Sequence, residues 1–362
     1  MAVVPSSLIF RLIRPALSVP FSRARQSRRL LGTFVPSTSS TPAIEEERLP
    51  HYNVEHFYPV QPKEIFEDRY QAIAKLGFGG GSTVWLARNL DSFSKAESGE
   101  GDSEPYVVLK FGTCDYLHKE AARHELEVYR HLSISDPSHN GKQYIQTLVD
   151  KFEVAGPHGT HICLVFEPMR ETLSAYQSRL KGARLPLELL KLYVVHDERK
   201  MPRVDRGGHS IYQSQNQFGP LQVRLGPIVP IISDFGHAQW INESQPQINP
   251  IQPDNYRAPE VILGTGWGSS ADIWNFGVLL WNMVEGTKKN LFGNIHSQEG
   301  TYMARNHLAQ MIALLGPPPV KLLECERKMR TWNFAPAMEN YENRACHKVY
   351  EFYGGSFFDD KG

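Results

Sequence analysis

The chain has 362 residues, of which 41% are hydrophobic and 22% are charged, a composition typical of globular proteins. Lys+Arg and Asp+Glu both number 39, so the net charge gives no indication of a nucleic-acid partner. No run of about 18 apolar residues is present, so the sequence predicts no membrane span. The four cysteines (Cys114, Cys163, Cys325 and Cys346) form no C-x-x-C pair, which argues against a zinc site or a disulfide scaffold and fits a reducing compartment.

Residues 1–44 differ in composition from the rest of the chain. They contain six arginines, many serines and no Asp or Glu. This composition predicts a mitochondrial presequence, and the competing interpretation is a disordered basic tail. Within this segment "SLIFRLIRPAL" predicts a short basic amphipathic helix, which Pro15 limits.

The next part of the chain, residues 45–166 with its flanking segment, is predicted to be rich in β-strands. Apolar and β-branched runs predict three strands around a Gly-rich turn, then one helix and a buried strand. The polar stretch Ser92–Pro105 predicts a loop. In chain order the predicted elements are "YQAIAKLGFGGGSTVWLARNL", "YVVLKFGT", "HKEAARHELEVYRHLS" and "HICLVFEPM".

The remaining residues, 167–362, are predicted to be mainly helical. "ETLSAYQSRL" and "LPLELLKLYV" predict helices, residues 195–230 are rich in turn-forming residues, and a mostly helical pattern resumes at "SADIWNFGVLLWNMVEG". A smaller β-rich lobe followed by a larger helical lobe predicts an α+β fold with two lobes.

"LGFGGGSTVW" carries glycines in a spacing that suits phosphate binding. Gly77 and Gly79 begin a G-x-G-x-x-[G/S]-x-V pattern, with Ser82 at its third glycine position and Val84 at its end. Glycines let backbone amides approach phosphate closely. Gly-rich hairpin turns are common, so the motif alone is weak. Its position between two strands favours a kinase-type loop over a Rossmann turn, which would open a helix.

Lys110 ends the strand "YVVLK", and a helix with acidic residues follows it. A lone lysine at this place is usually a solvated residue at the edge of a sheet. A Lys–Glu pair would instead hold the α- and β-phosphates of a nucleotide, with the carboxylate orienting the lysine. Glu125 and Glu127 are both candidates, and the spacing "E-L-x-x-Y" favours Glu125.

Three motifs follow in a fixed order in the second half of the chain. They are Asp234-Phe235-Gly236, then Ala258-Pro259-Glu260, then the helix that contains Asp272. A single D-F-G sequence is also a plausible turn, but the order and spacing of the three make chance an implausible explanation. Asp234 is then the expected ligand of Mg²⁺, which prefers oxygen donors and bridges phosphates.

By these motifs the chain resembles the eukaryotic serine/threonine protein kinases, and most closely the SR-protein kinase branch in its fungal form. The resemblance runs from about Tyr58 to the end of the chain, and further motifs that carry it are "NQFGPL", "YRAPEVILG" and "HLAQMIALLGPPP". It implies a bilobal kinase fold with an incomplete C-terminal lobe, use of ATP and Mg²⁺, and phosphoryl transfer to Ser or Thr in Arg/Ser-rich, splicing-type proteins. It also implies a location in cytoplasm or nucleus, in contrast to the mitochondrial location predicted from the N-terminus.

The resemblance also assigns roles to individual residues. It implies that Phe166–Met169 is the hinge beside adenine, with Glu167 offering its backbone carbonyl. The implied ATP-binding residues are Leu76, Gly77, Gly79, Ser82, Val84, Lys110, Glu125, Glu167 and Met169. Asp234 is the implied metal ligand, and Phe235, Gly236, Glu260 and Asp272 have implied structural roles.

The catalytic loop of the family, H-x-D-[LI]-K-x-x-N, has no counterpart in this sequence. In "VVHDERKMP", His196 and Asp197 are adjacent, and Pro202 stands where the family has Asn. Asp197 is the one weak candidate for the general base, and a solvated charged loop is the favoured interpretation. The long helix that precedes the loop in the family is also too short here, which indicates a deletion between Val194 and Val195.

Three hypotheses follow for the protein as a whole. The first is an active serine/threonine kinase by descent, and the second is a pseudokinase that binds nucleotide or a partner without turnover. The third is an incomplete gene product, which is favoured over the true pseudokinase because the family also continues beyond "YGGSFFDDKG" with further helices. Those helices normally bring an arginine to the equivalent of Glu260. The sequence leaves activity, substrate and oligomeric state open.

Overall fold

A computed structural model describes residues 2–4, 9–13, 43–49, 52–92, 106–169, 172, 203–206, 209–214, 229–241, 246–285 and 290–359. The chain forms two compact units. The sheet unit comprises Phe10–Thr172 and Leu190–Gly236, and the helical unit comprises Met1–Ile9, Leu173–Leu189 and His237–Gly362. The division into residues 1–44, 45–166 and 167–362 that the sequence suggests stays a prediction.

Strands predominate in the first half of the described chain and helices in the second. The strands are β1 (Ala2–Val4), β2 (Ile9–Ile13), β3 (Ile65–Phe66), β4 (Tyr70–Gly79), β5 (Ser82–Asn89), β6 (Tyr106–Gly112), β7 (Leu148–Gly156), β8 (Gly159–Phe166), β9 (Arg203–Arg206), β10 (His209–Tyr212), β11 (Val229–Ser233), β12 (Gln239–Ile241), β13 (Met338–Glu339) and β14 (Ala345–Cys346). The α-helices are α1 (Tyr116–Ile134), α2 (Pro259–Leu263), α3 (Ser270–Glu285), α4 (Ala304–Leu315), α5 (Val320–Met329) and α6 (Val349–Phe352).

The sheet unit is built on a six-stranded antiparallel sheet with the strand order β3-β4-β5-β6-β8-β7. Burial alternates strictly along β5, as the period-two placement of side chains in a strand requires. The alternate residues Trp85 and Ala87 join Leu109, Phe111 and further buried residues in one core. Lys110 lies on β6, which is held in this sheet between β5 and β8.

Helix α1 follows β6 after a short corner and carries Glu125. Its N-cap is Asp115, whose side chain accepts a hydrogen bond from the backbone N–H of His118. Of the four apolar positions predicted in this helix, Leu126, Val128 and Tyr129 are buried and Leu132 is half-buried. The helix begins two residues before the predicted segment, because Asp115 caps it at that point.

One expectation for the first residues of the chain is wrong. The segment around Ile9–Ile13 was expected to be helical, but it forms strand β2, which pairs with β11 and suits its β-branched isoleucines. Part of the turn-rich stretch 195–230 forms the antiparallel pair β9–β10. The sequence signal for this pair is the dipeptide "GG" between two short runs. Within the sheet unit, Tyr212 of β10 packs edge-on against Trp85 at 5.5 Å.

The helical unit contains its own hydrophobic core. Residues from α2, α3 and α4 pack together with Phe292, Ile295 and Phe334 in this core. Helix α2 ends at Leu263, and Gly264, with a φ of +63°, forms the left-handed C-cap that glycine adopts without a steric cost. These helices position Glu260 and Asp272.

Several sequence expectations fall outside the described residues. They include the helices predicted in "ETLSAYQSRL" and "LPLELLKLYV", most of the loop Ser92–Pro105, the motif "NQFGPL", the junction at Val194–Val195, and Asp197. Within the described parts, no helix has the length and apolar character needed to cross a membrane. All four cysteines are free thiols.

Candidate nucleotide-binding site

Lys110, Glu125 and Asp234 come together in the sheet unit. The Lys110 ammonium lies 2.8 Å from each carboxylate oxygen of Glu125 and 2.9 Å from Oδ1 of Asp234. The Glu125 side chain is 5% exposed, whereas that of Asp234 is 38% exposed. One carboxylate therefore anchors the ammonium from the protein interior, and the other faces solvent, where a ligand can reach it.

The two carboxylates keep Lys110 charged. Burial alone would lower the pKa of Lys110, but Glu125 and Asp234 raise it, and the net shift is upward. A buried ammonium without partners would lose its proton at much lower pH. The group is therefore a permanent cation at neutral pH, as recognition of phosphate requires.

The fold of α1 explains why Glu125 contacts Lys110. Glu125 is buried on the face of α1 that meets the sheet, next to the buried Leu126, whereas Glu127 is exposed. Lys110 lies in β6, in the middle of the sheet, and the strand continues past it to Gly112. The Lys110 ammonium reaches the Glu125 carboxylate on this face. Glu125, which the spacing "E-L-x-x-Y" favours over Glu127, is thus the residue whose carboxylate contacts the lysine.

Tyr129, one helical turn after Glu125, holds the Asp-Phe-Gly segment, a role that sequence reasoning missed. Its hydroxyl accepts a hydrogen bond from the backbone N–H of Asp234 at 3.3 Å and donates one to Gln146 at 3.0 Å. Its ring packs edge-on against the buried Phe235, with 5.2 Å between centroids. The i, i+4 spacing of Glu125 and Tyr129 puts both on one helix face, which could have signalled a shared role.

The backbone at the Asp-Phe-Gly segment is unusual. Asp234 has a φ of +67°, a left-handed conformation that few residues other than glycine adopt and that aspartate tolerates better than most. A Cβ added at Gly236 would lie 3.5 Å from Oε2 of Glu125, so this glycine lies directly against the buried carboxylate. The segment is thus fitted closely to α1.

The glycine motif forms the β4–β5 hairpin. Gly77 pairs with Val84 and Gly79 with Ser82, and a register shift falls between Lys75 and Gly77. Leu76 is half-buried. A Cβ added at Gly77 would meet no atom within 4 Å, so its backbone is open to a ligand.

The expected hinge begins at Phe166, the last residue of β8, and continues through residues 167–169. Glu167 is exposed and Met169 is buried. The strand partner of Leu164 in β8 is Lys110 itself, so the hinge and the lysine are carried by neighbouring strands.

The remaining predicted residues lie in the helical unit or outside the described residues. Glu260 accepts a hydrogen bond from the Ser270 hydroxyl at 3.3 Å. Asp272 has a buried carboxylate oxygen with no hydrogen-bond partner in the described structure. Asp197 lies outside the described residues.

Comparisons with known proteins agree on one family. A family model described as the protein kinase domain matches residues 229–340. A serine/threonine protein kinase of Aspergillus fumigatus is 33% identical over 350 residues, which cover 89% of this chain and 82% of that protein. The serine/threonine-protein kinase SRPK of Physarum polycephalum is 28% identical over 329 residues, covering 76% of this chain and 73% of that one.

Two further matches are more distant. The human dual specificity protein kinase CLK1 is 27% identical over 319 residues, covering 81% of this chain and 60% of that protein. A crystal structure of a kinase domain has a TM-score of 0.53 at 20% identity, covering 84% of this chain and 85% of that one, which shows a shared fold. The motifs, the fold and these matches together establish that the chain belongs to the eukaryotic serine/threonine protein kinases, in the branch that includes SRPK and CLK.

Proposed function

We propose that this chain binds Mg·ATP as a member of the SR-protein kinase branch. The observation that carries the proposal is the Lys110 ammonium held between the carboxylates of Glu125 and Asp234. This arrangement of a cation and two carboxylates is the one that phosphoryl-transfer proteins use to position a nucleotide.

The donor set fits the ligand. Asp234 offers a partly exposed carboxylate, and Mg²⁺ takes oxygen ligands, usually one or two carboxylates together with phosphate oxygens. The open backbone at Gly77 suits the close approach of phosphate. When bound, Mg·ATP would supply the transferable phosphoryl group.

Each residue of the proposed site then has a distinct role. Lys110 donates hydrogen bonds to the α- and β-phosphates, and Glu125 holds the ammonium in place. Asp234 binds the metal ion. Glu167 offers its backbone carbonyl to adenine, beside Met169. Leu76, Gly79, Ser82 and Val84 form the hairpin that covers the phosphates.

The reaction class follows from the family, and the substrate is a further part of the proposal. The acceptor is the hydroxyl of Ser or Thr in a protein, and the match to a kinase with the printed name SRPK favours Arg/Ser-rich, splicing-type proteins.

A second candidate function is nucleotide binding without transfer. The observation that favours it is in the sequence, where none of the 14 histidines begins an H-x-D-x-K-x-x-N loop. In the family the Asp of that loop accepts the proton of the substrate hydroxyl and the Asn binds a second Mg²⁺. A chain without either group is expected to lose orders of magnitude in rate while its nucleotide contacts remain.

Two measurements on the full chain test the proposal. The first is thermal stabilisation by Mg·ATP, which binding to the folded state produces by mass action. Asp234→Asn should weaken this stabilisation, and Asp91→Asn, at an exposed aspartate of the same unit, should not. The second is transfer of the γ-phosphoryl group to an Arg/Ser peptide.

The outcomes separate the candidates. Stabilisation with transfer that Asp234→Asn abolishes supports a kinase. Stabilisation without transfer supports the second candidate. No stabilisation at millimolar Mg·ATP overturns both.

A further inference from the structure

The tip of the β4–β5 hairpin consists of two glycines, Gly80 and Gly81, between the paired residues Gly79 and Ser82. Glycine has the greatest backbone freedom of any residue, and a glycine tip has no side chain of its own to pack. Any side chain that fixes the position of the tip must therefore come from outside these two residues. The contacts that do so come from the corner between β6 and α1, residues 112–118, which we call the β6–α1 corner.

Thr113 holds the tip through hydrogen bonds. Its backbone N–H donates to the carbonyl oxygen of Gly81 at 3.0 Å, and its hydroxyl reaches the same oxygen at 3.4 Å. Thr113 is 2% exposed, so these bonds are shielded from water. They extend the pairing of β5 with β6, which places Ser82 opposite Gly112, by one further residue.

His118 holds the tip by packing. A Cβ built on Gly81 would lie 2.6 Å from Cδ2 of His118 and 3.1 Å from its Cβ, so the imidazole lies directly on this glycine. Asp115 fixes the ring, because each of its carboxylate oxygens lies 2.9 Å from Nδ1 of His118. The same carboxylate caps α1 through the N–H of His118 at 3.1 Å. The orientation of the ring is thus set by the first turn of the helix.

A cavity of about 220 Å³ lies beside the tip. It is lined by Gly80 of the tip, by Tyr52, His56 and Phe57 of the segment that precedes β3, and also by Thr113, Asp115 and His118 of the β6–α1 corner. The direct contacts between the corner and the tip are those of Thr113 and His118 with Gly81.

We propose that Thr113 and His118 are positioning residues, which set the glycine-rich hairpin relative to Lys110 and Glu125. His118 and Glu125 are seven residues apart, about two turns of one helix, so α1 places the ring beneath the hairpin and the carboxylate beside Lys110 at once. The inference rests on the proposed binding of Mg·ATP. It predicts that the affinity for nucleotide depends on a ring that does not touch the nucleotide.

The test is a binding titration with a fluorescent ATP analogue and Mg²⁺, together with the melting temperature of the ligand-free chain. His118→Ala should weaken binding about fivefold, equivalent to about 1 kcal/mol. The melting temperature should stay nearly constant, because the side chain of His118 is 48% exposed. His118→Phe, which keeps a ring on Gly81, should recover most of the affinity. His131→Ala, at an exposed histidine of the same helix, is the matched control.

A second pair of variants tests the contact itself. Gly81→Ala should weaken binding in the wild-type background, where its Cβ meets His118, and should have no further effect when combined with His118→Ala. Hydrogen exchange of segment 77–83 is the measurement that needs no ligand, and it should become faster in His118→Ala.

The results distinguish this inference from the proposed function. Equal affinities for wild type, His118→Ala and Gly81→Ala overturn the positioning role. A wild-type chain that binds no nucleotide overturns the proposed function and the nucleotide part of this inference with it. In that case the exchange measurement still decides whether the corner holds the hairpin, and unchanged exchange in His118→Ala overturns that part too.

Discussion

Asp272, in the first turn of α3, is expected to destabilise the helical unit at neutral and alkaline pH. Its Oδ1 is buried and has no hydrogen-bond partner in the described structure, and burial raises the pKa of this carboxyl from the ordinary 3.8 to about 7. The neighbouring Nε1 of Trp274 and Oδ1 of Asn275 are likewise buried without partners in the part of the chain that the structure describes. An uncompensated buried carboxylate opposes folding whenever it is ionised.

The sign and size of the effect follow from linkage between protonation and folding. Because the pKa is raised in the folded state, the stability contribution of the neutral acid is fully present below pH 3.8 and is lost as the pH rises through about 7. A shift of about three pKa units corresponds to ~4 kcal/mol at pH 8. The carboxylate is only partly shielded from solvent, so roughly half of this, ~2 kcal/mol, is the expected loss.

Asp272→Asn tests this reasoning, because the amide has the shape of the carboxylic acid but cannot ionise. We expect the variant to raise the free energy of unfolding by ~2 kcal/mol at pH 8 and to change it little near pH 4. Urea unfolding followed by tryptophan fluorescence measures both values. Glu324→Gln, at an exposed position of the same unit, is the control. An Asn variant that is no more stable than wild type at pH 8, or a gain that persists at pH 4, would refute the argument.

Three further predictions concern buried polar groups. Glu46→Gln should lower the free energy of unfolding by about 3–5 kcal/mol in urea denaturation, because it removes the carboxylate that pairs with the 1% exposed ammonium of Lys75. Tyr129→Phe should cost about 1–2 kcal/mol in the same assay and weaken the Mg²⁺-dependent binding of ATP, since it removes the hydrogen bonds of the hydroxyl with Gln146 and with the Asp234 N–H. Burial lowers the pKa of His307 from 6.5 to about 3, so its stabilising contribution is present above pH 6.5 and is lost as the pH falls towards 3. His307→Asn should make the urea midpoint less dependent on pH in that range.

The parts of the fold that could be predicted from the sequence are those with local signals. The glycine hairpin, the strand that carries Lys110 and the helix with Glu125 each have a period or a turn signal within about ten residues. The pairing of Glu125 with Lys110 followed from the order of strand and helix, because consecutive elements are usually neighbours in space.

The parts that could not be predicted depend on contacts between distant residues. The Tyr212 hydroxyl donates to Gln61, 151 positions away, and its ring packs on Trp85. The buried pair of Lys75 and Glu46 joins residues 29 positions apart. No period in the sequence marks such partners. The short strand Ile9–Ile13 is another example, since its pairing with β11 decides against the helix that its composition suggests.

The contacts around Lys110 also bear on whether nucleotide binding and phosphoryl transfer can be separated in this chain. Lys110 is anchored by Glu125, and the Asp-Phe-Gly segment is held by Tyr129 and by the backbone bond from Gln146 to Ile232. All of these residues belong to the sheet unit. None of these bonds involves a residue of the H-x-D-x-K-x-x-N type, because the sequence contains no such loop. The groups proposed to bind Mg·ATP are therefore ordered without a general base, so binding can persist in a chain that transfers no phosphoryl group.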